Sequence, residues 1–196
     1  MSASTRSRAP NVASLVLAAA FATLPLALAQ VPEGTASMRV GGALPEAVRT
    51  LAPGLRVQGE GAFRWFGLAV YHARLWSPAG GWRADETFAI EIRYARSVKG
   101  HRLAETSVDE MRHTAAGSDA ERRQWGESMR AIFPDVRDGD QLIGLSIPGT
   151  ATRFFLNGQA VGDIADPGFG PAFFGIWLSP STSRPDLRRM LLGSSR

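Results

Sequence analysis

Between Leu55 and Tyr94 apolar and polar residues alternate with a period of two, and between Gly100 and Pro134 they recur every turn of a helix. The first spacing belongs to strands, whose successive side chains face opposite ways; the second belongs to helices. Leu55, Val57, Gly59 and Gly61 fall on one side of an extended run, continued by Phe63, Trp65 and Gly67. In Leu68–Trp76, Val70, His72 and Arg74 oppose Tyr71, Ala73 and Leu75, with a bulge or bend expected near Gly67 and Trp76. Pro78 and Gly80-Gly81 end that strand. Thr87 to Tyr94 predicts a third strand. Phe88, Ile90, Ile92 and Tyr94 form its core face, and Ala89, Glu91 and Arg93 the other.

Leu103, Ser107 and Met111, with Val108 beside them, mark a helix between Gly100 and Gly117. Ser118-Asp119-Ala120-Glu121 then reads as a capping box, in which serine and a glutamate three residues on satisfy each other's orphan N–H groups. The helix it opens turns Trp125, Met129 and Ile132 or Phe133 inward and stops at Pro134. Asp138-Gly139-Asp140 leads into a strand over Gln141–Ile147, and Pro148-Gly149 into another over Thr152–Leu156. Asn157-Gly158 closes a hairpin, because both residues tolerate positive φ. Asp166-Pro167 is expected to cap and open a helix carrying Phe173, Phe174, Ile176 and Trp177, an apolar segment that must be buried or bind something apolar. A last short helix is expected from a Ser183 cap, with Asp186 in its first turn, to a stop at Gly193. The order is α+β: an antiparallel sheet with helices on one face.

The N-terminus changes the compartment. Arg6 and Arg8, the apolar run Val12–Leu28 and the small-x-small Ala27-Leu28-Ala29 before Gln30 predict a secretory signal peptide over residues 1–29. Pro25 interrupts the run and no stop-transfer flank follows, so no stable membrane span is expected after cleavage. The expected location is periplasmic or secreted. Residues 30–54, rich in Pro, Gly, Ala and Ser, read as a loosely packed lead-in, and 55–193 as the single domain. The absence of cysteine excludes disulfides, thiol catalysis, cysteine–zinc sites and iron–sulfur clusters. All but one of the 22 basic residues are arginine, scattered among acids as in Asp119-Ala120-Glu121-Arg122-Arg123. That mixture describes a solvated surface, not a nucleic-acid stripe.

Few residues carry chemistry. Gly59-Glu60-Gly61 lacks a third glycine and a following helix, so a close backbone contact explains it better than a dinucleotide site. His101 and His113 do not converge on one helix, and His72 stands alone in a strand, so no metal site is expected. Asp109-Glu110 and Asp138/Asp140 read as helix surface and turn, and Glu91 as an ion-pair partner on a sheet face. Arg64 and Tyr71 are the candidates. A guanidinium grips a carboxylate or enolate in two places, and a phenol adds one donor among the aromatics Phe63, Trp65, Phe66 and Trp76. The alternative, which the residues alone favour, is a surface arginine lying over tryptophan and a core tyrosine bonded to backbone.

Gly59-Glu60-Gly61-Ala62-Phe63-Arg64, Val70–Trp76, Phe133–Asp140, Asn157-Gly158, Ile176-Trp177-Leu178 and Leu191-Leu192-Gly193 resemble, in order and spacing, bacterial chalcone-isomerase-like proteins from about Leu55 to Gly193. The resemblance implies an open-faced β-sandwich with a ligand cleft between sheet and helices. Enzymes of that family use an early-strand arginine to stabilise the oxyanion of an intramolecular Michael addition, helped by a threonine, a tyrosine and an asparagine. Here Arg64 stands one position out of register with that arginine, and Tyr71 takes the threonine's place. Leu103 and Glu110 fall near the tyrosine and asparagine places, and Ile176 or Gly175 at a late hydroxyl place. These departures point away from the plant reaction. Members of the fold without cyclase activity resemble small carriers, some binding fatty acids. The expectation is an exported, non-catalytic binder of a small amphipathic molecule, fatty-acid-like or aromatic. Its contacts would be Arg64, Tyr71, Trp65, Phe66, Leu103 and Ile176, with no cofactor or metal. The alternatives are an isomerase or intramolecular lyase on an enone, with Arg64 and Tyr71 catalytic, and an envelope interaction module using exposed aromatics such as Trp82.

Overall fold

A computed structural model describes residues 42–193, so the expectations for 1–29 and for the lead-in up to residue 41 lie outside the described residues. Six strands form one sheet: β1 (Arg56–Trp65), β2 (Leu68–Ser77), β3 (Phe88–Tyr94), β4 (Gln141–Ile147), β5 (Ala151–Leu156) and β6 (Gln159–Ile164). They lie in chain order and every neighbouring pair is antiparallel. Two helices, α2 (Gly100–His113) and α3 (Asp119–Ile132), are inserted between β3 and β4. After β6 come α4 (Phe169–Leu178) and α5 (Pro185–Leu191).

The alternation read from the sequence sets the layers. Phe63, Ala73, Leu75, Phe88, Ile90, Ile92, Tyr94, Leu142 and Phe154 face the helices and pack on Met111, Trp125, Met129, Phe169, Phe173, Phe174 and Ile176. The opposite face is only partly covered. There Trp76, Ala89, Ile143, Leu145 and Phe155 receive Leu44, Val48 and Ala52, the last two from α1 (Glu46–Leu51) and the residue after it. Val48 is fully buried, which corrects the loosely packed lead-in for residues 43–53. Beside this patch lies Glu91, 2% exposed, whose two carboxylate oxygens accept from Trp76 Nε1 at 2.9 Å and Gln141 Nε2 at 2.8 Å. Arg93 stands 3.7 Å away.

Local signals mostly resolve as read. The Ser118–Glu121 box is closed in both directions, and Asn157-Gly158 turns at φ 50° and 83°, the left-handed pair that a two-residue hairpin needs. Three details differ. One register shift falls between Val57 and Gly59, opposite Trp76 and Leu75, as the bulge expected near Trp76; the other falls between Phe63 and Arg64, and Gly67 itself sits in the turn. Helix α4 starts at Phe169, because Asp166 turns back to accept from the Gly168 N–H at 2.8 Å. Ser183 does not cap α5; Arg184 is the N-cap, and the Ser183 hydroxyl donates instead to Glu110 at 2.6 Å.

Helix α5 lies directly on β1. A Cβ at Gly59 would stand 2.1 Å from the Met190 carbonyl oxygen, and one at Gly61 would stand 2.8 Å from Leu187. The Gly59-Glu60-Gly61 run is thus a docking strip for a helix. Gly59→Ala is expected to destabilise the protein by about 2 kcal/mol through overpacking against backbone, read as a lowered thermal midpoint. Gly80→Ala, with nothing within 4 Å of the new carbon, is the control and should leave the midpoint unchanged.

Candidate functional site

Tyr71 sits on β2 opposite Phe63 of β1 and Tyr94 of β3. Its ring tilts against that of Phe63, with centroids 5.2 Å apart. The hydroxyl points to the helix layer and accepts a hydrogen bond from Trp177 Nε1 of α4 at 3.1 Å. Over the Phe63 ring lies Arg184, half-buried, its guanidinium 4.4 Å from the Phe63 centroid and 5.8 Å from that of Trp65. A cation over a ring face is held by the ring quadrupole and needs no counter-ion for its position. Glu110 of α2 comes from the third side, tied by Ser183. Loss of surrounding water pushes the Tyr71 phenol up to about 12 against the pull of Trp177, and Arg184 acts on it more strongly than Glu110 does. The surroundings of this hydroxyl therefore keep it neutral, with its proton free to be donated.

The sequence placed a different arginine here. Arg64 follows Phe63 on β1, and because Phe63 turns inward Arg64 must turn outward. It is exposed, and its Nη1 donates to the Gly67 carbonyl at 3.3 Å across the β1–β2 turn. Arg64 and Tyr71 are thus not brought together. Phe66 also leaves the site: it occupies the turn at φ 47° and is 88% exposed. Trp65 remains, beside Arg184, and Leu103 and Ile176 belong to the packed core. Arg184 and Trp177 were missed. The available signal was Arg184-Pro185, a long cation at a helix N-cap where a short polar residue is usual.

A second feature lies at the other end of the sheet. A cavity of about 270 Å³ is walled by Trp82, Phe88, Ser146, Thr152, Phe174 and Leu178, among others. Phe88 and Tyr94 are the two ends of β3, which puts this cavity roughly 20 Å along the strand from the Tyr71 level. Helix α4 separates the two places, with Phe173 and Trp177 toward Tyr71 and Phe174 and Leu178 toward the cavity. Asp166 lines the cavity with its carboxyl held low by the Trp125 indole N–H and the Gly168 and Phe169 amides. Trp82, expected to be an exposed aromatic, is instead packed edge-on against Phe88 at 5.8 Å. Among the described residues no three His, Cys, Asp or Glu converge as metal ligands would.

A long antiparallel sheet with helices laid over one face defines a helix-covered open sandwich. The chain belongs to the chalcone isomerase-like family, whose profile matches residues 36–193. An uncharacterized protein of Haemophilus influenzae is 29% identical over 139 residues, 70% of this chain and 68% of that protein. Among solved structures, the crystal structure of a fatty-acid binding protein of Arabidopsis thaliana superposes with a TM-score of 0.59 at 10% identity, covering 72% of this chain and 88% of that one. Identity that low carries the fold alone.

The chain has two tyrosines, Tyr71 and Tyr94, and burial raises both phenols. A raised acid contributes stability that is complete below the unfolded value near 10 and is lost as pH climbs through the folded value. Phenolate absorbance should therefore stay flat through pH 10 in the native protein and rise only with unfolding. In denaturant both groups should titrate near 10. A native half-titration at pH 10 would mean that one hydroxyl is open to water.

Proposed function

We propose that this protein is a non-catalytic binder of a small amphipathic molecule with an anionic head, fatty-acid-like or aromatic, held between the sheet and α4–α5. The observation that carries the reading is Arg184, a half-buried guanidinium lying on Phe63 and beside Trp65, within electrostatic reach of Tyr71. A permanent cation at an aromatic-lined boundary suits a carboxylate whose tail lies among apolar side chains. The fold shared with a fatty-acid binding protein supports the same class of ligand. Leu103 and Glu110 offer an apolar group and a carboxylate where the family's enzymes are implied to carry a phenol and an amide, which favours binding over turnover.

Laurate titration, followed by tryptophan emission, tests this. Arg184→Ala should weaken binding roughly thirtyfold, the loss of about 2 kcal/mol expected for a hydrogen bond to a charged group. Tyr71→Phe should weaken it less, and Arg64→Ala not at all. Gly175→Leu fills the cavity from a position whose Cβ would meet only the Ser179 side chain, at an ordinary 3.8 Å, and should leave laurate affinity unchanged. The opposite pattern, affinity lost in Gly175→Leu and kept in Arg184→Ala, would overturn the assignment.

We further propose that the binder acts outside the cytoplasm, on the strength of Arg6, Arg8, Val12–Leu28 and Ala27-Leu28-Ala29. The form recovered from the periplasmic fraction should begin at Gln30 by N-terminal sequencing. An intact Met1 start in the cytosol would refute this.

A further inference from the structure

The β1–β2 turn is built against the usual rules. A two-residue hairpin needs positive φ at both positions and is normally Asn-Gly or Gly-Gly, yet Phe66 and Gly67 occupy it at φ 47° and 78°. A large side chain in the left-handed region is strained, and a strained residue is a reason to look for a use. Phe66 gains no burial in return: it is 88% exposed, and Leu68 beside it is 54% exposed. Trp65 stands edge-on to Phe66 with centroids 5.1 Å apart. Three apolar side chains thus form the end of a projecting hairpin.

Arginine lies beside this tip: Arg64 clamps the turn through the Gly67 carbonyl, and Arg184 lies 5.8 Å from the Trp65 ring. Between Glu60 and Asp85 the chain contains no acid. An aromatic tip flanked by arginine matches the headgroup zone of an anionic bilayer, where aromatic rings sit at the boundary and guanidiniums meet phosphate.

We infer that the Trp65–Leu68 tip docks this protein on anionic phospholipid membranes. Docking needs no ligand, but it places Trp65, which borders Arg184, at the membrane surface. In that respect it extends the binding reading by naming the membrane as the place where the amphipathic molecule is exchanged.

The test is co-sedimentation with vesicles of phosphatidylcholine containing phosphatidylglycerol, and with phosphatidylcholine alone. Wild type and Phe66→Asn are compared in the same form, so any contribution of residues 1–41 is common to both. Wild type should bind the anionic vesicles at least tenfold more strongly than the neutral ones, given roughly fivefold per basic residue near such a surface. Phe66→Asn should weaken that binding about tenfold while raising the thermal midpoint, since Asn tolerates the left-handed turn. Opposite signs for stability and docking would not arise from misfolding. Tyr71→Phe, a buried and uncharged change away from the tip, should weaken laurate and leave vesicle binding unchanged, which separates failure of this inference from failure of the ligand site. Equal binding to both vesicle types, or no effect of Phe66→Asn, overturns it. So does self-association in sedimentation velocity that Phe66→Asn abolishes in the absence of vesicle binding.

Discussion

The close approach of α5 to β1 is the contact on which the site depends. With no side chain at Gly59 or Gly61, the helix rests on strand backbone, and Leu187 and Leu191 are buried against it. That fixes the start of α5, where Pro185 sets the backbone and Arg184 is left over the Phe63 ring. A bulkier residue at either glycine lifts the helix and takes the guanidinium with it. The cation therefore comes from the end of the chain and the phenol from its beginning, joined by a packing contact between backbones.

The layers of the molecule were legible because they follow from periodicity and from turn residues with one mechanical job. Phe88, Ile90, Ile92 and Tyr94 read as a core face and are one; Ser118 with Glu121, and Asn157 with Gly158, read as a cap and a hairpin and are both. The site was less legible. Strand alternation places neighbouring residues on opposite faces, so Phe63 inward and Arg64 outward was available from the pattern. The chemistry of a guanidinium and a phenol among aromatics pointed to Arg64 instead. Tyr71 was found because it lies on the inward side of a strand, whereas Arg184 depends on how α5 returns across the sheet, which no local pattern encodes.

Two polar groups show how the sheet tolerates charge on its sparsely covered face. Glu91 receives an indole N–H and an amide N–H, one to each oxygen, and Arg74 pairs with Glu60 at 2.6 Å on the neighbouring strand. Such charges add little net stability, because the loss of water offsets the attraction that the satisfied hydrogen bonds supply. On the helix-covered face shape takes over: Phe154, Phe169 and Phe173 interlock as edge-to-face and stacked rings. That face is rigid apolar packing, and the Tyr71–Arg184 pair lies at its border.

The strand order has a consequence for how the molecule forms. Each hydrogen-bonded pair joins consecutive strands, so four of the five pairings close through short connections and only β3–β4 must wait for the α2–α3 excursion. Loop closure becomes harder slowly with length, and chains dominated by local contacts collapse quickly. The sheet can grow from its hairpins as separate seeds. Joining the first three strands to the last three then carries the largest loop-closure cost, and the helical insert is the tether that sets it.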